Sequence, residues 1–298
     1  MTPKNISPAG TLLGEGVVWI AEEAAVYWVD IKGKAVHRHQ TDSGQQTTWS
    51  VPEEIGCLIP CRAGGFVAGL QSGLAFIDLS LSDQNVGRIS PMGGPETAVP
   101  GNRINDGKAD VTGRLWVGTM DNEESRPSGS LYRFEADGSE YCMDTNYVIT
   151  NGPAFSPDGK TLYHTDTLEK TIYAFDLAAD GSISNKRIHI VLPDQQGWPD
   201  GMTVDAEGYL WVAHFGGWRV SRFGPDGTLE RSISLPVGQI TNVAFGGPNL
   251  ETLYITTAAK QLDEVALAGQ PLAGALFEVE TGIRGLPPGR YAGTPSII

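Results

Sequence analysis

Between residues 150 and 175 the chain carries Thr150-Asn151-Gly152-Pro153-Ala154-Phe155, then Ser156-Pro157-Asp158-Gly159, then Leu162-Tyr163-His164-Thr165 and Ile172-Tyr173-Ala174-Phe175. This stretch reads as an apolar strand, a turn, a second strand and a companion strand, each strand alternating as a half-buried strand does. Arg187-Ile188-His189-Ile190-Val191 supplies a fourth strand. The same phrase recurs on both sides. Its second strand returns as Val26-Tyr27-Trp28-Val29, Phe66-Val67-Ala68-Gly69, Leu115-Trp116-Val117-Gly118, Leu210-Trp211-Val212-Ala213 and Leu253-Tyr254-Ile255-Thr256. About ten to twenty residues further on the companion returns as Val36–His39, Leu74–Ile77, Leu131–Phe134, Val220–Phe223 and Leu276–Val279. With Trp28, Phe66, Trp116, Tyr163, Trp211 and Tyr254 as markers, the gaps are 38, 50, 47, 48 and 43 residues. Six strand-rich units of that length match the blades of a β-propeller. The fold expected is therefore all-β: one six-bladed propeller with four antiparallel strands per blade, spanning residues 1–298 as a single domain. A β-sandwich or a pair of small barrels does not explain a sixfold period. Closure is expected from residues 6–12 pairing into the last blade, because an open outer edge invites aggregation.

Composition agrees. Hydrophobic residues make up 40% of the 298 residues and charged residues 19%, enough apolar material for a large core. The 38 Gly and 19 Pro imply many turns and few long helices. A formal net charge of −14 repels nucleic acid and anionic membranes, so neither is expected as a partner. Three cysteines, Cys57, Cys61 and Cys142, make neither a disulfide framework nor a zinc ribbon. The N-terminus has no apolar signal-like run and no segment approaches transmembrane length, so a cytoplasmic location is expected. The sequence assigns no oligomeric state.

In a propeller the first strand of each blade lines the central channel. The residue just before that strand therefore sits at one mouth of the channel in every blade. Those positions hold Glu15, Asn105-Asp106, Asn151, Asp200 and Thr241-Asn242. The phase is constant: Glu15 precedes Trp19, Asn151 precedes Phe155 and Asp200 precedes Val204, each by four residues. Taken singly, Glu-Gly, Asn-Gly and Asp-Gly are ordinary turn pairs. Taken together, they aim carboxylates and amides at one axis, where like charges repel unless a cation stands between them. Oxygen donors of this kind suit Ca²⁺, Mg²⁺ or Mn²⁺. Arg103 and Asn105 are two apart and face the same side of a strand, where they can read the hydroxyls or carbonyl of a polyol ring. None of the five His occupies a mouth position; His164 and His214 fall within second strands and are expected to pack there. No G-x-S-x-G segment is present, so a serine-hydrolase triad has no signature. Trp198, two residues before Asp200, is placed either as a pocket wall or in loop packing.

The segments Leu13-Gly14-Glu15-Gly16, Asn105-Asp106-Gly107-Lys108, Gly118-Thr119-Met120, Thr150-Asn151-Gly152, Pro199-Asp200-Gly201-Met202 and Asn242-Val243-Ala244-Phe245-Gly246-Gly247 resemble the gluconolactonase/regucalcin (senescence marker protein) family, from about Leu12 to Gly289. The resemblance implies a six-bladed propeller with a single divalent metal bound by Glu15, Asn151 and Asp200. Ca²⁺ comes first, with Mg²⁺, Mn²⁺, Zn²⁺ or Fe²⁺ as alternatives. It implies substrate contacts from Arg103, Asn105 and Glu123, and a catalytic role for Asp200, as the base or the positioning group for the attacking water. The activity implied is hydrolysis of a sugar lactone to the sugar acid. Three other readings share the features seen: an organophosphate or other ester hydrolase on the same propeller, a scaffold binding partners on a propeller face, and a calcium-handling protein. Fold alone does not choose among them.

Overall fold

Asp205-Ala206-Glu207-Gly208-Tyr209-Leu210-Trp211 shows how the sequence writes one corner of a blade. The Asp205 Oδ1 atom accepts from the backbone N–H groups of Glu207 (2.9 Å) and Tyr209 (3.0 Å), which shapes the turn. Its Oδ2 atom accepts from the Trp211 indole at 2.8 Å, pinning the turn to the strand that follows. Asp110 does the same two blades earlier: Oδ1 accepts from Thr112, Gly113 and Arg114, and Oδ2 from the Trp116 indole at 3.0 Å. Each buried tryptophan then packs on the next blade, Trp116 edge-on to Phe155 and Trp211 edge-on to Phe245, so the turn motif also sets how blades stack.

A computed structural model describes residues 1–79, 88–96, 99 and 101–294. Six four-stranded antiparallel sheets stand around a central channel. Their innermost strands are Gly14–Ile20, Ile55–Pro60, Asn102–Ala109, Thr150–Phe155, Trp198–Val204 and Ile240–Gly246, in blades one to six. The second strands carry the six aromatic markers, as the repeat requires. The core consists of apolar layers between blades, built from residues such as Ile55, Leu58 and Tyr27 between blades one and two.

Closure comes from the N-terminal segment, as expected, with the ladder starting slightly earlier. Lys4–Asn5 is the outermost strand of blade six, pairing with Phe277–Glu280. The backbone N–H of Ile6 donates to Leu276 O at 3.0 Å, and those of Gly10 and Thr11 donate to Ala273 and Gly274. The C-terminal segment makes a second tie, which the repeat pattern does not announce. The Ala206 N–H donates to Arg284 O, Tyr291 N–H to Pro60 O, and Ala292 N–H to Gly113 O, each at 2.9 Å. The segment therefore straps blades five and six to blades two and three across the channel end away from Asp200. Leu286, Pro287, Pro288 and Gly289 line the roughly 340 Å³ cavity at that end. The three cysteines are free, and no described helix is long and apolar enough to cross a membrane.

Candidate functional site

Every innermost strand breaks its ladder at the same level. Register shifts fall at Glu15/Val18, Ile55/Cys57, Ile104/Asp106, Asn151/Ala154, Pro199/Met202 and Ile240/Asn242. A bulge re-aims side chains, and here six of them turn two consecutive residues per blade toward the axis. The functional positions thus lie just inside the strands rather than before them. The upper tier holds Glu15, Asn105, Asn151 and Asp200, all buried and all lining a cavity of about 130 Å³. Blade two adds nothing to this tier because its position is Gly56, where a Cβ would collide with the carbonyl oxygens of Ile104 and Asn105.

The side chains are held by named partners. Asn105 Nδ2 donates to Thr150 O at 2.6 Å and to Asn151 Oδ1 at 3.3 Å. Asn151 Nδ2 donates to Thr167 Oγ1 at 2.8 Å, which fixes which end of the amide is the acceptor. The Glu15 Oε2 atom accepts from Gly16 N–H (3.1 Å) and Asn242 Nδ2 (2.9 Å). Arg103 is buried on the rim. Its Nη1 donates to Asn105 Oδ1 at 2.7 Å, its Nε to Asn122 Oδ1 at 2.9 Å, and Glu54 stands 3.5 Å from it. Burial works against the Arg103 charge, and Glu54 and Glu124 offset that.

The electrostatics are those of a site short of positive charge. Burial, then the Asp106 charge, pushes the Glu15 carboxyl up to about 8. Burial, followed by the Glu15 and Asp106 charges, pushes Asp200 far above the usual carboxylate range, with Lys260 opposing. Asp200 and Glu15 stand within hydrogen-bonding reach of each other. Two buried carboxylates in contact need a proton or a cation between them. Glu15, Asp200 and the Asn151 amide therefore fit a hard divalent cation by donor type. Among the described residues no group of three His, Cys, Asp or Glu side chains forms a metal cluster, so the donor set is two carboxylates and an amide.

Five of the six residues expected from the sequence line the cavity: Glu15, Arg103, Asn105, Asn151 and Asp200. Glu123 does not. The Glu124 N–H donates to Asp121 O at 2.9 Å, and Glu124 takes a left-handed φ of 56°. That tight turn leaves Glu123 exposed and brings Glu124 into the cavity wall. Glu124 pairs with Lys260, which reaches over from the loop after Thr252–Thr257. Sequence reading missed both, since a contact between loops 136 residues apart leaves no periodic trace. Trp198 lines the cavity, with the Lys170 ammonium 5.0 Å from its ring centroid. His164 and His214 are buried in second strands away from the cavity; burial drives His164 down to about 3 and His214 to about 4.

Comparison with known proteins places this geometry. The SMP-30/Gluconolactonase/LRE-like region model matches residues 13–259. A 6-deoxy-6-sulfogluconolactonase of Pseudomonas putida is 35% identical, covering 98% of this chain and 99% of its own. An L-arabinolactonase of Azospirillum brasilense is 36% identical, again over 98% of this chain and 99% of its own. The crystal structure of a calcium-binding protein, regucalcin, from Agrobacterium tumefaciens is 29% identical and superposes with a TM-score of 0.91, covering 96% of each chain.

Proposed function

The chain belongs to the SMP-30/gluconolactonase/LRE-like family, and on that premise we propose that it hydrolyses a sugar lactone, an aldonolactone, to the corresponding sugar acid with the help of one divalent cation. The observation that carries the reading is the convergence of Glu15, Asn151 and Asp200 in one small buried cavity with Arg103 and Asn105 at its rim. Glu15, Asn151 and Asp200 would hold the cation, Ca²⁺ first among the candidates. When bound, it polarises the lactone carbonyl and makes a nearby water more acidic.

The chain's own residues do the rest. Asp200 takes a proton from the attacking water as the oxygen–carbon bond forms. The bond from the carbonyl carbon to the ring oxygen then breaks, and the proton passes from Asp200 to that oxygen, leaving a hydroxyl and a carboxylic acid, which ionises to the carboxylate and releases the second water proton to solvent. Arg103 and Asn105 orient the ring by hydrogen bonds to its hydroxyls or carbonyl. Glu124, rather than Glu123, lies where a third substrate contact is available. The free cysteines suit a reducing compartment, which supports a cytoplasmic location.

A panel of glucono-, arabinono-, xylono- and galactonolactones, assayed by acid release with several divalent ions added to chelated protein, tests the reading. Cation-dependent hydrolysis of at least one lactone, with no turnover of an aryl phosphotriester, is expected. Background rates across the whole panel would sink it.

A further inference from the structure

Below the four cavity-lining residues lies a second tier, one residue further along each bulge. It consists of Gly16, Cys57, Asp106, Gly152, Gly201 and Asn242. Three glycines there leave the axis open, Cys57 packs in the apolar layer with Ile104 and Val117, and the side chains of Asp106 and Asn242 occupy the axis. Asn242 enters the space over Gly201, where a Cβ would collide with the amide. Asp106 accepts from Gly107 N–H at 2.7 Å and from Gly152 N–H at 3.0 Å. Asn242 Nδ2 stands 3.5 Å from Asp106 Oδ2 and donates to Glu15 Oε2 at 2.9 Å. The Asn242 amide is fixed in that sense because its Oδ1 accepts from Val243 N–H at 2.8 Å. Lys108, two residues after Asp106, donates from Nζ to Met202 O in blade five. Inner strands of blades one, three, four, five and six are tied together through three side chains.

This tier is a partition. Asp106, Lys108 and Asn242 line the 340 Å³ cavity below, whereas Glu15, Asn151 and Asp200 line the 130 Å³ cavity above. We infer that Asn242, flanked by Asp106, is a positioning residue for the cation site: it holds Glu15 by Oε2 and leaves Oε1 for the ion. The inference rests on the cation reading above. Asn242 is the single side-chain donor to Glu15 among the described hydrogen bonds, so without it the carboxylate keeps one neighbouring backbone N–H, from Gly16, and is less firmly oriented. Groups that orient a metal ligand typically change metal affinity by 10- to 100-fold. The Lys108 ammonium adds a positive charge beneath the site, which works against the incoming cation while it balances Asp106.

The experiment is calorimetric titration of the full chelated chain with Ca²⁺, at a temperature where near-ultraviolet circular dichroism shows each variant folded. Asn242→Leu is expected to weaken Ca²⁺ binding by about 10- to 100-fold. Lys108→Met is expected to tighten it, by at least about twofold, since it removes a like charge. A purely structural role moves melting temperature in both variants and does not produce opposite signs in affinity. Asn242→Leu binding within about twofold of the parent overturns the inference. If Asn242→Leu does not fold, Lys108→Met decides, and weaker or unchanged binding overturns the inference. A parent chain that takes up no divalent cation overturns the cation reading itself.

Discussion

The proposed reading gives Asp200 two roles, holding a cation and receiving a proton, and one substitution separates them. Asp200→Asn keeps an oxygen ligand and removes the charge and the basic oxygen. Turnover at saturating cation, with occupancy measured directly, is expected to fall by about 10²- to 10⁴-fold, the loss typical of a missing general base. Near-parental turnover at full occupancy would leave Asp200 a ligand only. Arg103→Ala serves as the contrast: KM should rise while cation binding is retained or tightened, because Arg103 contacts Asn105, Asn122 and Glu54 rather than Glu15 or Asp200, and its positive charge, felt at Glu15, is lost. Such residues were legible because every blade repeats one bulge, so position in the repeat predicts direction in space. Glu124 was not, because its aim depends on a left-handed turn just after a strand, and one residue of slip there exchanges inside for outside. Lys260 was not, because its partners, Glu124 and the Leu12 carbonyl, lie far from it in the chain.

Among the elements, the two chain ends carry more than their length suggests. Lys4–Asn5 is a two-residue strand, yet it covers the outer edge of Phe277–Glu280. Removing residues 1–7 exposes that edge, and self-association is expected, read by light scattering at rising concentration. A truncated chain that stays monomeric and melts with the parent would contradict this. At the other end Tyr291 is fully buried, donates from its hydroxyl to Glu135 O at 2.8 Å and packs near Phe76. Tyr291→Ala is expected to cost about 3 kcal/mol in urea unfolding, the scale of a large-to-small aromatic change in a core. The blade strands were plain in the sequence, since alternation and a recurring aromatic mark them. The strap at residues 284–292 was not. It has no alternation, and its hydrogen bonds go to turns and strand ends far away in the chain.

For the molecule as a whole, the site sets a dependence of stability on pH. The Glu15 carboxyl is raised from 4.5 to about 8 by burial first and by Asp106 next. Between those values the folded chain holds a proton that the unfolded chain has released, so stability falls as pH rises through that window. On the proposed cation reading, a divalent cation would take the proton's place and stabilise the fold by binding the folded chain alone. Melting temperatures in chelator should therefore decline from about pH 5 to pH 8, and saturating Ca²⁺ should flatten that slope. A chelated protein whose melting point is level across the window would refute the assignment. The sixfold architecture was legible at this scale from the period of the markers, whereas the tier beneath the site was not, because it is made by three side chains from blades three and six whose partners lie on blades one, four and five. That tier has a kinetic corollary. If Asp106 and Asn242, which line the lower cavity and not the upper one, close the upper cavity from below, whatever forms there must back out through the opening by which its precursor came in. Traffic would then be two-way through one door: on the proposed cation reading the sugar acid, with a carboxylate drawn to the same ion, should compete with fresh lactone, and progress curves should bend long before the lactone is spent.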